Sequence, residues 1–250
     1  MKHLSWIFFN LYGYIFGWRF LAPVHHAVVN LSLHALGYDN AYRERWTGEE
    51  WFLKNVVAPY GPRVCLDIGA NVGNYSRMLL EHTQARIYAI EPSKSSFESL
   101  EILRNPRLVA IKAAVADRVG EGIIHSQGER DVKASLDANV REGIGEKVPV
   151  VTIESLAQEH GITEIDFIKI DTEGYEREVL RGLGRHRPRF IQFEFNLHHL
   201  YRSCTVFELS GLLKGYDLYR LLPRGMVRID PRKFIDNIFM FCNIVALRQD

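Results

Sequence analysis

Short apolar runs alternate with amphipathic segments over most of the chain, beginning after the Gly61-Pro62 pair. A buried strand reads as a short continuous apolar run, whereas a surface helix repeats its apolar residues every three or four positions. The predicted strands are residues 64–68, 86–90, 108–112, 165–170, 190–195 and 239–247. The predicted helices between them are residues 75–81, 95–104, 175–183 and 205–214. This alternation indicates an α/β fold with a mainly parallel sheet and helices on both faces.

A longer insert separates the third of these strands from the fourth. Residues 122–127 and 148–152 are predicted to form two further strands, with the polar stretch 128–147 between them and a short helix, residues 153–160, after them. Loops at the carboxyl edge of such a sheet carry specificity. We therefore expect residues 128–147 and 197–231 to shape the pocket of an acceptor molecule.

The N-terminal part of the chain has a different pattern. Residues 1–46 are predicted to be an aromatic-rich helical extension, and residues 47–250 the α/β domain. Thr47 and Glu50 have the spacing of a capping box, in which the Thr47 side chain caps a helix and Glu50 reaches back to it. That helix is predicted to run to about Ala58.

The segment 4–18 contains seven aromatic side chains and no charged one. It is shorter than the roughly 20 apolar residues that a membrane-spanning helix needs. On a helix, its small and polar neighbours fall near one narrow stripe, at His3, Asn10, Gly13 and Gly17. Such a helix predicts peripheral membrane contact through residues 4–22 or docking on a partner. Packing on the rest of the chain, and an anchor or signal sequence, are the alternatives.

Charge and cysteine usage narrow the class of protein. The 31 Lys and Arg residues and the 30 Asp and Glu residues give a net charge of +1, so no nucleic-acid partner is expected. Cys65, Cys204 and Cys242 are far apart and lack CxxC spacing, which indicates reduced thiols and no structural zinc. A cytoplasmic location follows, with membrane association through the N-terminal segment as an addition. The oligomeric state stays open.

The strongest motif follows the first predicted strand, where an acid precedes a glycine-rich turn and a helix. Asp67, Gly69, Asn71 and Gly73 are the candidate cofactor-binding residues of this turn. A pyrophosphate site has the pattern GxGxxG, and a carboxylate at Asp67 would repel a pyrophosphate. The acid suits a ligand with a cationic amino-acid portion, which S-adenosylmethionine has. The alternative is a glycine turn with an incidental Asp.

Two further acids follow the next strands. Glu91 ends the second strand, where a carboxylate can accept hydrogen bonds from a ribose diol. Asp117 comes after the third strand, where a polar side chain can reach an adenine amino group. An exposed acid at a strand end, and a turn-forming Asp, are the respective alternatives.

The candidate catalytic residues lie at or just after the ends of the later predicted strands. Asp171 is expected to face the cleft between cofactor and acceptor, or else to cap the next helix. Lys169 lies inside the same strand, which is unusual for a lysine unless it pairs with a carboxylate. Glu194 follows at the neighbouring strand end, and His198 or His199 is the candidate general base. Histidines of this kind are also often structural.

These motifs resemble the FkbM-type S-adenosylmethionine-dependent methyltransferases over residues 47–247. The matching stretches are LDIGANVGNYS (66–76), AIEPS (89–93), IDFIKIDTEGYEREVLRG (165–182), TGEEWFL (47–53) and FEF (193–195). The resemblance implies a Rossmann-like class I methyltransferase fold with a seven-stranded, mainly parallel sheet. It also implies O-methylation, with the hydroxyl of a sugar, glycolipid, oligosaccharide or other small metabolite as the acceptor.

The resemblance also assigns roles to residues of this chain. It implies cofactor contacts for Asp67, Gly69, Asn71, Gly73, Glu91 and Asp117. Asp171 and Glu173 match the second motif of the family. Ile153-Glu154 stands where Leu-Asp is usual, which is a conservative departure.

Three alternatives remain at this point. A divalent metal held by Asp171, Glu194 and His198 could polarise the hydroxyl in place of a base, although no metal is the preferred interpretation. A nicotinamide-dependent oxidoreductase would share the fold, but the chain lacks both GxGxxG and a YxxxK pair. A cofactor-binding module without catalysis would not need intact Asp171 and Glu194.

Overall fold

The computed structural model of the protein describes residues 2–40, 44–126 and 144–249. The helices are α1 (Lys2–Phe16), α2 (Ala22–Ala35), α3 (Glu44–Thr47), α4 (Glu49–Phe52), α5 (Ala58–Tyr60), α6 (Asn74–His82), α7 (Lys94–Glu101), α8 (Ile153–Glu159), α9 (Glu176–Arg181), α10 (Leu197–Tyr201) and α11 (Val206–Leu212). The strands are β1 (Val64–Ile68), β2 (Arg86–Ile90), β3 (Leu108–Ile111), β4 (Ala114–Val115), β5 (Gly120–Ser126), β6 (Ile144–Val151), β7 (Phe167–Ile170), β8 (Phe190–Phe195), β9 (Tyr216–Leu222), β10 (Gly225–Arg228) and β11 (Cys242–Arg248).

The main sheet has eight strands in the order β10-β9-β11-β8-β7-β1-β2-β3. The five strands from β8 to β3 are parallel, whereas β11, β9 and β10 are joined to them and to one another by antiparallel pairing. The strand order reverses at the β1–β7 junction, with β2 and β3 following on one side and β8 on the other. Open α/β sheets bind ligands at such a point, at the carboxyl ends of the strands. This order confirms the expected Rossmann-like α/β fold.

The insert forms a small sheet of its own. β4 pairs in parallel with β6, and β6 pairs with β5 as a hairpin, within the described part of the chain. The two further strands predicted from the sequence are therefore real, with somewhat different bounds. Most of the predicted polar stretch 128–147 lies outside the described residues.

Two expectations need correction. The main sheet contains eight strands and not seven, because β9 and β10 form a hairpin at its edge. The capping box is wrong: Gly48 is the N-cap of α4, with φ of 85°, and makes no side-chain cap. The Thr47 hydroxyl instead donates to Glu49 Oε2 at 2.8 Å. The helix itself runs through a π-helical segment, Leu53–Val57, to α5.

Successive side chains of each strand point to opposite faces of the main sheet, and each face packs in an apolar cluster. Leu66 and Ile168 point to one cluster, whereas Cys65, Phe167 and Phe190 lie in register on the other. All of these side chains are buried. On the second face, the next row of side chains toward the carboxyl edge is polar, and these polar side chains form the centre of the candidate site.

The N-terminal helices stand away from this core except at Leu33, near the end of α2, which is partly buried against it. The described side chains of α1 and the linker after it, residues 6–20, are all exposed, and α2 buries none of its residues. The Asn10 amide turns back to the Trp6 carbonyl, 2.8 Å away. Across residues 2–40, 44–126 and 144–249, no helix has both the length and the apolar character required to span a bilayer.

The chain joins the core immediately after α2. Tyr38 is buried, and the Arg220 guanidinium lies 4.0 Å from the centre of its ring. Arg220 also donates to the Leu36 carbonyl at 2.6 Å and pairs with Asp236 at 3.2 Å. Residues 36–40 are therefore fixed to the β9 side of the sheet although α1 and α2 project from it.

Replacing Arg220 is expected to destabilise this junction. Arg220→Ala leaves the buried Asp236 carboxylate without its cation, which costs about 3–5 kcal/mol. The matched control is Arg228→Ala, whose pair with Asp217 lies at the surface and is worth about 0–1 kcal/mol. Urea unfolding measures both free energies, and equal losses would contradict the role given to Arg220.

Candidate functional site

The glycine-rich turn after β1 lies directly against the end of β7. The Gly69 and Ala70 amides both donate to the Ile90 carbonyl of β2, at 2.9 and 3.1 Å. Gly69 has φ of +79°, and a Cβ atom added there would lie 1.8 Å from the Asp171 carbonyl oxygen. Only glycine therefore allows the turn to approach Asp171 this closely.

Glu91 holds the turn from the neighbouring strand. Its carboxylate accepts from the backbone amides of Asn71 and Ser93, each at 2.8 Å. Burial raises the pKa of Glu91 to about 7, against the effect of these two hydrogen bonds. A carboxylate has about four lone-pair positions. Glu91 thus keeps acceptor capacity for a diol at the position predicted for ribose.

Asn71 and Gly73 complete the turn in left-handed backbone conformations, with φ of 51° and 84°. The Asn71 side chain accepts from the Val72 amide at 2.7 Å, which is the local contact that makes Asn tolerable at positive φ. Gly73 is the N-cap of α6. The structure thus brings three of the predicted turn residues, Gly69, Asn71 and Gly73, together with Glu91.

Asp67 lies beneath the turn. Its side chain is 1% exposed and accepts from the Ser76 hydroxyl of α6 at 2.6 Å. Burial raises its pKa to about 6, while Ser76 and Lys169 act in the opposite direction. The geometry gives Asp67 the role of fixing α6 to β1, and its direct contact with a cofactor stays a prediction.

Asp117 occupies a different place from the turn residues. It is exposed and lines a cavity between the small sheet and α9, together with Tyr175, Glu178 and Arg202. Arg202 stacks on the Tyr175 ring at 4.0 Å and pairs with Glu178 at 2.9 Å. The predicted contact of Asp117 with adenine stays a prediction.

Lys169 is the centre of the polar row beside the turn. The side chain is 4% exposed, and its ammonium lies 3.6 Å from Asp171 Oδ2 and 3.4 Å from Glu49 Oε1. Strand register aligns Asp67, Lys169 and Gln192 across β1, β7 and β8. The carboxylate partner expected from the sequence is therefore present twice.

A hydrogen-bonded network supports this lysine from three further elements. Gln192 Nε2 donates to Glu49 at 2.8 Å and to Asn243 at 3.1 Å, and Tyr75 donates to Gln192 Oε1 at 2.7 Å. Sequence reasoning missed Glu49, Gln192, Asn243 and Tyr75. The one available signal was Lys169 itself, because a lysine inside a buried strand requires polar partners.

Asp171 and Glu194 lie at the carboxyl ends of β7 and β8. Burial raises the pKa of Asp171 to about 6, and Lys169 lowers it while Glu173, Glu176 and Glu49 raise it. Burial raises the pKa of Glu194 well above its ordinary value, with Asp171 and Glu173 adding to the effect. The edge thus carries several carboxylates around one ammonium, which leaves a negative field.

The two candidate histidines have different surroundings. His199 is fully buried, with Nε2 3.0 Å from Glu176, and its Nδ1 faces the Asn196 amide at 3.3 Å. His198 is 24% exposed, and its Nδ1 lies 3.0 Å from Glu173 Oε2. The burial of His199 thus favours a structural role, and His198 is the more accessible of the two histidines.

The metal alternative has no support in the geometry. Within the described residues, no group of three or more His, Cys, Asp or Glu side chains is arranged to hold a metal ion. Asp171, Glu194 and His198, the ligands of the metal alternative, are not brought together in such a group. The nearest polar partner of Glu194 is the Asn196 amide, at 2.5 Å.

Comparison with known families determines the class of this site. The model of a family described as the methyltransferase FkbM domain matches residues 67–220, which include the turn, Glu91, Asp171, Glu194 and His198. The chain belongs to this family. It is accordingly a methyltransferase of the Rossmann-like class I fold, and S-adenosylmethionine is its methyl donor.

Two curated FkbM-family relatives are each 26% identical to the chain. The 2-O-methyltransferase NoeI of Sinorhizobium fredii matches over 185 residues, or 65% of this chain and 76% of the relative. The 31-O-demethyl-FK506 methyltransferase FkbM of Streptomyces tacrolimicus matches over 215 residues, or 70% and 79%. Among solved structures, an O-methyltransferase from Bacillus cereus in complex with SAH is 15% identical, with a TM-score of 0.46 over 89% of this chain and 88% of that one.

The chemistry of the edge fits this methyl donor, which supplies a methyl group on a sulfonium leaving group. The donor carries a ribose diol, for which Glu91 offers acceptor positions, and positive charge, which suits the excess of carboxylates around Lys169. The glycine turn would hold its polar portion through backbone contacts. Glu91 and the turn from Gly69 to Gly73 therefore fit the donor side by their chemistry, and their contacts with the donor stay a prediction.

Gly69→Ala is expected to abolish binding of S-adenosylmethionine in calorimetric titration. The added Cβ would collide with the Asp171 carbonyl, so the turn and β7 must separate. Gly61→Ala is the matched control, since Gly61 also has positive φ, of +73°, but has no neighbour within 4 Å of the added atom. Both variants carry about 1–2 kcal/mol of backbone strain. Equal affinity in the two variants would contradict the role of the close approach.

Lys169→Met is expected to raise the pKa of Asp171 further above about 6, because the nearest positive charge is removed. Asp171 is ionised above its pKa, so its charge would be lost at a higher pH than in the native protein. A carbon NMR titration of aspartate-labelled protein measures this shift, with Asp171→Asn to assign the signal. Lys169→Arg should restore the native value, and Lys54→Met, at an exposed pair with Glu50, should leave it unchanged.

Proposed function

We propose that the protein transfers a methyl group to a hydroxyl oxygen of a small polar acceptor, of the class of a sugar, glycolipid, oligosaccharide or other small metabolite. The observation that carries the proposal is His198, a partly exposed imidazole held 3.0 Å from Glu173 at the edge where Asp171 and Glu194 lie. A hydroxyl needs a base for its proton, and the proposal gives this role to His198.

The roles of the residues follow from their contacts. Glu173 orients His198 through Nδ1, which leaves Nε2 to take the hydroxyl proton, and Glu173 stabilises the imidazolium that results. Asp171 adds negative potential beside the attacking oxygen, Glu194 lies at the neighbouring strand end, and the turn aligns the donor. Methyl transfer depends mainly on such alignment, because the leaving group is already activated.

The relatives support an oxygen acceptor. Both carry names that specify O-methylation, NoeI as a 2-O-methyltransferase and FkbM as a 31-O-demethyl-FK506 methyltransferase. Neither the family nor these relatives give support to the nicotinamide-dependent oxidoreductase or to a module without catalysis.

A cytoplasmic location with peripheral membrane contact through residues 4–22 belongs to the same proposal. Cys65, Cys204 and Cys242 are all free and buried, as suits a reducing compartment. The side chains of Trp6, Phe9 and others in the segment are exposed and make no core contact.

The test is a transfer assay with radiolabelled S-adenosylmethionine against a panel of free sugars, oligosaccharides and glycolipids. His198→Ala is expected to lower kcat by about 10²–10⁴-fold, the usual contribution of a general base, without changing the affinity for the donor. His82→Ala is the control, because His82 lies at the end of α6 beside a different cavity, with Arg86 and Arg107.

Mass spectrometry of the product locates the methyl group. Methylation at nitrogen or carbon, or full activity of His198→Ala, would contradict the proposal.

A further inference from the structure

The N-terminal helices α1 and α2, residues 2–35, are named here the hairpin, and from residue 6 onward the rest of the chain leaves their apolar side chains mostly uncovered, with Leu33 packed against the core. In α1, Trp6, Phe8 and Phe9 are 66%, 63% and 68% exposed, and in α2 Leu31 is 72% exposed. The two helices contact each other near the segment that joins them, where His25 Nε2 lies 3.1 Å from the Phe16 carbonyl oxygen. Contiguous apolar surface of this extent is rare on soluble monomers and marks an interaction site.

The charge of the hairpin is one-sided. Its formal charges are Lys2 and Arg19, and the first acidic residue of the chain is Asp39, beyond the hairpin. The histidines of the segment add positive charge when protonated, at positions 3, 25, 26 and 34. The rest of the chain, by contrast, contains all 30 acidic residues. A surface without acids is complementary to an anionic partner.

The apolar side chains surround α1 instead of forming one stripe. Residues 6–16 are exposed on every face of the helix, and Asn10 and Gly13 are the exceptions to their apolar character. A second protein that packed on one face would leave the opposite aromatic side chains in water. A helix that is apolar all round belongs in an apolar medium, and Trp and Tyr favour the boundary of a bilayer with water.

A second exposed patch lies at the base of the hairpin. The Tyr38 hydroxyl donates to the Ile235 carbonyl, so the short helix Phe234–Asp236 adjoins the junction. Phe234 is 85% exposed there, directly after the exposed cations Arg232 and Lys233. Exposed aromatic and basic side chains of the catalytic domain thus lie next to the junction from which the hairpin projects.

We propose that residues 2–35, together with Phe234 at their base, dock this methyltransferase on an anionic lipid surface. α1 is about 22 Å long, which suits a helix embedded along the headgroup boundary. Residues 36–40 are fixed to Arg220, so docking also fixes the orientation of the catalytic domain. The inference deepens the proposed function: the acceptor hydroxyl is presented at the membrane surface, on a lipid-linked molecule.

The test is flotation of the full-length protein with phosphatidylcholine vesicles, with and without phosphatidylglycerol. Binding is expected with the anionic lipid and should weaken as salt is raised. Trp6→Glu and Phe234→Glu are each expected to weaken binding by about tenfold or more, since each places a carboxylate at the lipid boundary. Ile102→Glu is the matched control, because Ile102 is 75% exposed at the end of α7, near the opposite edge of the sheet.

Three results would overturn the inference. Equal binding to neutral vesicles would show that the protein does not select anionic lipid. Equal binding of all three variants would show that Trp6 and Phe234 do not belong to the docking surface. Absence of flotation, with a dimer that Trp6→Glu dissociates in light scattering, would assign the hairpin to a second copy of the chain. Donor binding and transfer to soluble hydroxyls, measured on the same protein, separate failure of this inference from failure of the proposed function.

Discussion

The site depends on one buried lysine. The Lys169 ammonium lies in the middle of the sheet, between Glu49 from the N-terminal side and Asp171 at the strand end. A buried charge is tolerable only when it is paired and hydrogen-bonded, so the positions of Glu49, Gln192 and Asn243 follow from that of Lys169. The network also explains why a carboxylate-rich edge is stable in this fold. One cation partly offsets the cost of burying Asp67, Asp171 and Glu194, and their pKa values stay raised mainly because of burial, with nearby acids adding to the effect.

The proposed donor and acceptor sides of the site are built by different physical means. On the donor side, backbone conformation dominates: positive φ at Gly69 and Gly73 and two amide contacts to Glu91 define the turn. On the acceptor side, side-chain electrostatics dominate, through His198, Glu173 and the acids beside Lys169. The two sides meet where the turn contacts the backbone of Asp171.

Sequence patterns predicted the features that depend on neighbours along the chain. Apolar runs located β1, β2 and β8 with their observed bounds, and the glycine turn and Glu91 were found from their place after strands.

The features that were missed depend on distant partners. β9 contains Asp217 and Arg220, so its pattern is not that of a plain buried strand, and Arg220 is buried because Tyr38 and Asp236 surround it. Thr47 was predicted as a cap because of its spacing from Glu50, but its hydroxyl is taken by the buried Glu49. Asn243 reaches the site only through the pairing of β11 with β8.

The contact of Gly69 with the Asp171 carbonyl has a thermodynamic consequence. With no side chain between them, the turn and the end of β7 cannot move independently over more than a small distance. A ligand that orders the turn therefore also orders Asp171, and an acceptor that shifts Asp171 must shift the turn. Linkage requires that such an effect be reciprocal, so occupancy of either half of the cleft changes the affinity of the other by the same factor. On the proposed assignment of the two halves, the methyl donor would thus act as an effector of acceptor recognition, through the backbone contacts that join the end of β1 and Gly69 to Asp171.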